Sequence, residues 1–298
     1  MKNGTLAALA AYVLWGFLPA YWKLLSAVPP IEILSHRIVW SLVVCALFLA
    51  ATRRTAWVKR ALARPATLAP LALTALLLGA NWLIYILAVN SGHIVESSLG
   101  YFINPLLNVL LGTLFLRERL RTGQWAAIGL AFAGVTYLTL SAGRPPWIAL
   151  SLALTFGFYG LIRKVAVIGA VEGLTVEVTL LSAPALVFLL NSAVRGTGAF
   201  VAAGQAVTLL LAFSGVVTAL PLALFTIGAR RVTLTTLGVL QYIAPTLQFL
   251  LGVLVYGEDF QPSRLLGFSL IWLALIIFWV EGLIQYRKTG IAAAAKTV

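Results

Sequence analysis

The sequence predicts an all-α integral membrane protein, with ten transmembrane helices arranged as two inverted five-helix repeats. Three observations predict it. The 298 residues are 61% hydrophobic and 10% charged, with a mean hydropathy of +1.01, whereas soluble domains carry about 25% charged residues. Apolar runs close to the roughly 20 residues that a spanning helix needs recur down the whole chain. The two halves also repeat each other: INPLLNVLLGTLFLRE at 103–118 returns as IAPTLQFLLGVLVYGE at 243–258. Pro105, Gly112 and Glu118 match Pro245, Gly252 and Glu258 at an offset of 140, and Asn108 falls on Gln248. Trp15, Gly16, Phe17 and Lys23 match Phe156, Gly157, Phe158 and Lys164 at an offset of 141.

The predicted spans are 5–24, 33–51, 68–89, 95–116, 122–141, 147–165, 173–194, 206–228, 233–256 and 264–284. The first repeat occupies 1–143 and the second 144–298, the latter with a short tail. Five spans per half is an odd number, so the second copy starts from the opposite side of the membrane and the repeats are inverted. That plan suits a molecule that rocks between two related arrangements, opening first to one side and then to the other.

Net charge is +13, but its distribution argues against nucleic acid. Alternate connections hold Lys2, Arg53 to Arg64, Arg117 to Arg121, Arg163 with Lys164, Arg230 with Arg231, and the tail, sixteen of the 21 Lys and Arg. The intervening connections hold only Lys23, Arg144, Arg195 and Arg264. This is the positive-inside bias, and it predicts that both termini are cytoplasmic. The same charges suit anionic lipid headgroups.

Taken in order, helix one reads AYVLWGFLPAYWKL, with Tyr12, Gly16, Pro19 and Lys23 on one face and Trp15 and Trp22 beside it. Trp22, Trp40, Trp57 and Trp147 lie near helix ends and read as interfacial belt residues, whereas Trp15 and Tyr85 lie deeper. Helix two carries Glu32 and His36 at i, i+4, followed by Arg37. A charge at mid-membrane costs about 2.5–3.5 kcal/mol on insertion scales, so such groups face an interior and have partners. A Glu32–His36–Arg37 network, structural or proton-coupling, is expected there. Glu177, one turn inside helix seven, is a further coupling candidate. Cys45, the only cysteine, lies within a span and forms no intrachain disulfide.

Helix three carries Asn81 and Tyr85 at i, i+4. Helix four places Tyr101, Asn104 and Asn108 on one face; helix nine does the same with Gln241, Pro245 and Gln248. Pro105 and Pro245 fall mid-span, where each is expected to kink its helix by freeing the carbonyl four residues back, at Tyr101 and Gln241. Matching stripes at matching kinks read as two walls of one cavity. Hydrogen bonding between helices is the competing account of the amides. The expected substrate path is Tyr12, Trp15, Asn81, Tyr85, Tyr101, Asn104, Asn108, Gln241 and Gln248, with Pro105 and Pro245 as gating kinks. Aromatics beside amides suit a flat or amphipathic organic solute. Glu96, Glu118 and Glu258 read as helix-end groups.

The sequence lacks G-x-x-x-x-G-K-[ST], H-E-x-x-H and G-x-S-x-G. No ATP-binding loop, cofactor, metal site or catalytic residue is therefore assigned. The stretches AYVLWGFLPAYWKLL, VPPIEILSHRIVWS, NWLIYILAVNSGHIVESSLGYFINPLLNVLLG, TALPLALF and LQYIAPTLQFLLGV resemble the RarD group of the EamA family, within the drug/metabolite transporter superfamily. The resemblance covers nearly the whole chain. It implies ten helices in an inverted five-plus-five repeat, a bacterial inner membrane, and transport of small organic solutes without ATPase parts, in relatives often as export. A membrane-embedded enzyme and a passive channel are the alternatives. The expected partners are a small-molecule substrate and membrane lipid.

Overall fold

The computed structural model describes residues 2–52, 65–117, 119–166, 170–229, 231–232, 237 and 240–294. In the described residues the chain forms α1 (Lys2–Gly16), α2 (Leu18–Lys23), α3 (Pro30–Ala51), α4 (Pro65–Asn90), α5 (Ile94–Leu116), α6 (Thr122–Ala142), α7 (Trp147–Ala166), α8 (Ala170–Val194), α9 (Gln205–Ala229), α10 (Ile243–Leu250), a π-helical turn (Leu251–Val255) and α11 (Pro262–Ala294). Nine of these segments are long and apolar enough to cross a membrane, counting α1 with α2 as one; the tenth, Ile243–Val255, is shorter. The protein is thus an all-helical, multi-pass membrane protein. Large apolar side chains such as Phe132, Leu140, Leu114 and Leu254 stand out on the bundle surface, where lipid is their solvent.

Two predicted spans are interrupted, and both interruptions have a stated cause. In the first, Pro19 has no N–H to give the Trp15 carbonyl four residues back. The helix breaks between α1 and α2, and the freed carbonyl accepts a hydrogen bond from Gln248 Nε2 at 3.1 Å. In the ninth, Leu237 and Leu240 are helical, Gln241 and Tyr242 form a turn, and α10 starts at Ile243, which places Pro245 in its first turn. A first-turn residue has no intrahelical acceptor for its N–H, so proline sits there without penalty. The interruption falls at Gln241, whose carbonyl Pro245, lacking an N–H, leaves free. Pro105 does lie inside a continuous helix, as do Pro70, Pro184 and Pro221.

α1 packs against α9 and α10, and α7 packs against α4 and α5. α3 packs against α8 and α9, and α4 against α8. Exchanging the halves, with α1 for α7, α3 for α8, α4 for α9 and α5 for α10, maps these pairings onto one another. The correspondence reaches single residues. A Cβ on Gly16 would lie 2.7 Å from Leu247 Cδ1 and 2.8 Å from its Cβ, and one on Gly157 would lie 3.0 Å from Leu107 Cδ2. Gly16 matches Gly157 and Leu247 matches Leu107 at the repeat offsets. Both glycines permit the close helix approach that bilayer packing favours. α6 and α11 form a second layer on the same principle, Gly134 meeting the backbone of Gly267.

Three carboxylates tie one end of the bundle together. Glu258 accepts from the backbone N–H groups of Ile94 (2.7 Å) and Val95 (2.8 Å), and Glu96 accepts from Ile148 N–H (3.0 Å). Each satisfies the orphan donors at the start of a neighbouring helix. Glu32 accepts from Ala199 N–H (2.6 Å) and Phe200 N–H (3.3 Å), in the connection before α9. Glu118 lies outside the described residues. At the opposite end Arg121 pairs with Glu281 at 2.7 Å.

Candidate functional site

The aromatic residues expected on the path form two groups. Tyr12, Trp15 and Phe225 make a triangle with ring centroids 5.5 to 5.9 Å apart, joining α1 to α9. Tyr85 meets Tyr101 at 5.7 Å, Tyr101 meets Phe156 at 6.5 Å, and Phe156 meets Tyr159 at 5.7 Å. This second group is a lane of rings running through α4, α5 and α7. Phe225 matches Tyr85 at the 140 offset and Phe156 matches Trp15 at 141, so both repeats contribute the same positions to the two groups.

The amides divide by what they bond. Asn81 Nδ2 donates to the Leu152 carbonyl (3.1 Å) and to Thr155 Oγ1 (2.9 Å), a tie between α4 and α7. Gln248 Nε2 closes the break in the first span, and its Oε1 is buried without a partner. Asn104 is buried, and its Oδ1 likewise has no partner among the described residues. Asn108 is exposed beside Gly160 of α7. Gln241 is half-buried in the turn before α10. Asn81 and Gln248 thus tie helices together, while Asn104 and Asn108 make no such tie among the described residues. Tyr85, Asn81, Asn104 and Gln248 are all buried, so the bundle is closed around them. Two surface crevices, lined by Cys45, Phe48 and Leu220 and by Phe102, Trp272 and Trp279, are apolar and include none of the expected path residues.

The charged residues also separate. Glu32 lies 4.0 Å from His36 Nε2, and the His36 ring stacks on Phe200 at 4.7 Å. Arg37 is not part of that pair. One residue further along a helix points about 100° away, and its guanidinium lies among Trp22, Trp82 and Thr218 instead. The expected three-residue network is therefore two separate sites. Glu177, fully buried, lies 3.8 Å from Arg163 Nε and accepts from the Tyr159 hydroxyl at 3.3 Å. This joins it to the far end of the aromatic lane. Trp22, expected at the interface, is fully buried, while Trp147 is half exposed as a belt residue should be. Trp82, Thr218, Tyr159 and Arg163 were not singled out from the sequence. Arg37 was the only signal for the first two, because a lone buried cation must be surrounded by something polar or aromatic.

The EamA-like transporter family model matches residues 2–140. A RarD protein of Streptomyces exfoliatus is 47% identical over 299 residues, covering 100% of this chain and 95% of that one. The chain belongs to the RarD group of the EamA family. An uncharacterized transporter of Vibrio cholerae is 47% identical over 292 residues, covering 98% and 95% of the two chains. A solved crystal structure, 22% identical, aligns with a TM-score of 0.57 over 93% of this chain and 96% of its own; that likeness concerns the fold. Within this chain, Gly16 and Pro19 sit at the break of the first span, Pro105 lies inside α5, and Gln248 bonds the Trp15 carbonyl.

Proposed function

We propose that this protein is a secondary transporter of small organic solutes of the drug/metabolite type, working by alternating access as an inverted five-plus-five repeat in the bacterial inner membrane, with both termini cytoplasmic. The observation that carries the reading is the matched pairing of Gly16 with Leu247 and Gly157 with Leu107. One contact made twice by exchanged halves gives two nearly equivalent arrangements, which is what a two-sided carrier requires. Membership of a transporter family and the transporter named in Vibrio cholerae support the same reading. The path runs beside Trp15, Tyr85, Tyr101, Asn104 and Asn108, with rings for a flat solute and amides for orientation.

Counterflow tests it. Full-length protein in proteoliposomes loaded with unlabelled aromatic solutes is expected to accumulate the labelled solute transiently and saturably. Sustained single-channel currents in planar bilayers, or conversion of the solute, would instead identify a channel or an enzyme.

A further inference from the structure

Arg37 is 5% exposed in α3, and among the described residues no carboxylate pairs with it. Its Nε donates to Thr218 Oγ1 at 3.0 Å. The guanidinium carbon lies 3.9 Å from the Trp82 ring centroid and 4.9 Å from that of Trp22. Among the described residues its Nη1 has no hydrogen-bond partner, and neither do the buried Trp22 Nε1 and Tyr85 hydroxyl. The hydroxyls of Tyr21, Tyr85 and Tyr101 lie within its electrostatic reach, and the Tyr21 hydroxyl is already committed to the Leu210 carbonyl. The nearest acid along the helix, Glu32, is held by the backbone of Ala199 and Phe200.

A buried cation with unmet donors around it is costly. Cation–π contact with two indoles offsets part of that cost but supplies no acceptor. The repeat makes the omission specific. IEILSHRI at 31–38 aligns with VEGLTVEV at 171–178 at the offset of 140, placing Glu32 on Glu172 and Arg37 on Glu177. The second half gives its buried charge a protein counter-ion, since Glu177 has Arg163. The described residues of the first half give Arg37 none.

We propose that Arg37, with Trp22 Nε1 and the Tyr85 hydroxyl, is the anion-recognition site of the path, and that the substrate class is an organic carboxylate bearing a flat or aromatic group. This rests on the transport reading. A carboxylate offers two coplanar acceptors to a guanidinium fork. Trp82 and the Tyr85–Tyr101 lane would take the attached ring. The site lies where the first, third and eighth spans meet the second, among the helices of the path.

The test uses purified full-length protein and measures thermal unfolding with phenylacetate, indole-3-acetate and the neutral phenylacetamide, because binding to the folded state raises its apparent stability. Phenylacetate or indole-3-acetate is expected to raise Tm in a saturable way and phenylacetamide is not. Arg37→Lys, which keeps the charge but loses the fork, and Trp22→Phe, which keeps the ring but loses the N–H, are each expected to weaken binding about tenfold. Arg37→Gln is expected to abolish it. Equal stabilisation by acid and amide, no stabilisation by either acid, or unchanged binding in Arg37→Lys would overturn the assignment. The two readings fail separately. Counterflow of phenylacetamide that is indifferent to Arg37→Lys would overturn the anion site and keep transport. Arg37-dependent binding of the acids without counterflow would keep the site and overturn transport.

Discussion

Gln248 and Asn104 are both buried amides on facing elements, yet they have different work. Gln248 holds the Trp15 carbonyl that Pro19 leaves free, so Gln248→Leu removes a hydrogen bond and leaves an acceptor orphaned in the bilayer. Intramembrane side-chain bonds average about 0.6 kcal/mol and reach about 1.7. Gln248→Leu is therefore expected to lower unfolding stability by about 1–2 kcal/mol. Asn104 has an acceptor without a partner, so Asn104→Leu loses no such tie. It is expected to leave stability within about 0.5 kcal/mol and to weaken solute affinity about tenfold, which corresponds to about 1.4 kcal/mol. Unfolding in detergent and solute titration measure the two quantities. The reverse pattern, with stability lost at Asn104 and affinity lost at Gln248, would exchange their roles. The stripes themselves were legible in the sequence, because both amides fall on one helical face. Their division was not, since it depends on which partner lies across the interface, at Trp15 for one and at no described atom for the other.

At the scale of elements, the repeat makes paired experiments possible. A Cβ at Gly16 would press on Leu247 Cβ itself, close to the backbone, whereas one at Gly157 meets only the side-chain ends of Leu107 and Leu111. Overpacking costs about 1–3 kcal/mol, so Gly16→Ala is expected to destabilise more than Gly157→Ala. Leu247→Ala should recover part of the loss in the double variant, a coupling that a double-mutant cycle reads directly. Additive effects at Gly16 and Leu247 would contradict the contact. The matched prolines are expected to behave unequally for a similar reason. Pro105→Ala restores an interior hydrogen bond to the Tyr101 carbonyl and should slow transport with little loss of stability. Pro245→Ala, in the first turn of α10, should change transport less than twofold. Equal slowing at both positions would show that the two prolines gate alike. Apolar runs located the segments because a bilayer demands long ones, and among the described residues nine are long enough to cross it. They did not locate the break at Phe17, which depends on where a freed carbonyl finds its partner, whereas the turn before Ile243 falls at Gln241, the carbonyl expected to be freed by Pro245. The π-helical turn at Leu251–Val255 has no periodicity signature in so short a segment.

At the scale of the whole molecule, the two halves contact each other through exchanged pairs, with Glu32, Glu96 and Glu258 tying one end and the Arg121–Glu281 pair tying the other. Composition made the membrane and the spans readable, and the matching stretches at 103–118 and 243–258 made the repeat readable. The aromatic lane from Tyr85 to Tyr159 was only half readable, because Phe156 and Tyr159 sit on a helix that carries no amide stripe. The central claim is that the halves rock between two arrangements, and distances between spin labels test it without knowledge of the substrate. In a Cys45→Ser background, labels at Leu24 and Ser91 report on one end. Labels at Val165 and Arg231 occupy the positions matching them at offsets of 141 and 140 and report on the other. The account predicts two distance populations for each pair in proteoliposomes, shifting in opposite directions, so that conditions lengthening Leu24–Ser91 shorten Val165–Arg231. A single unchanging distance at both ends, or both pairs long at once, would contradict it.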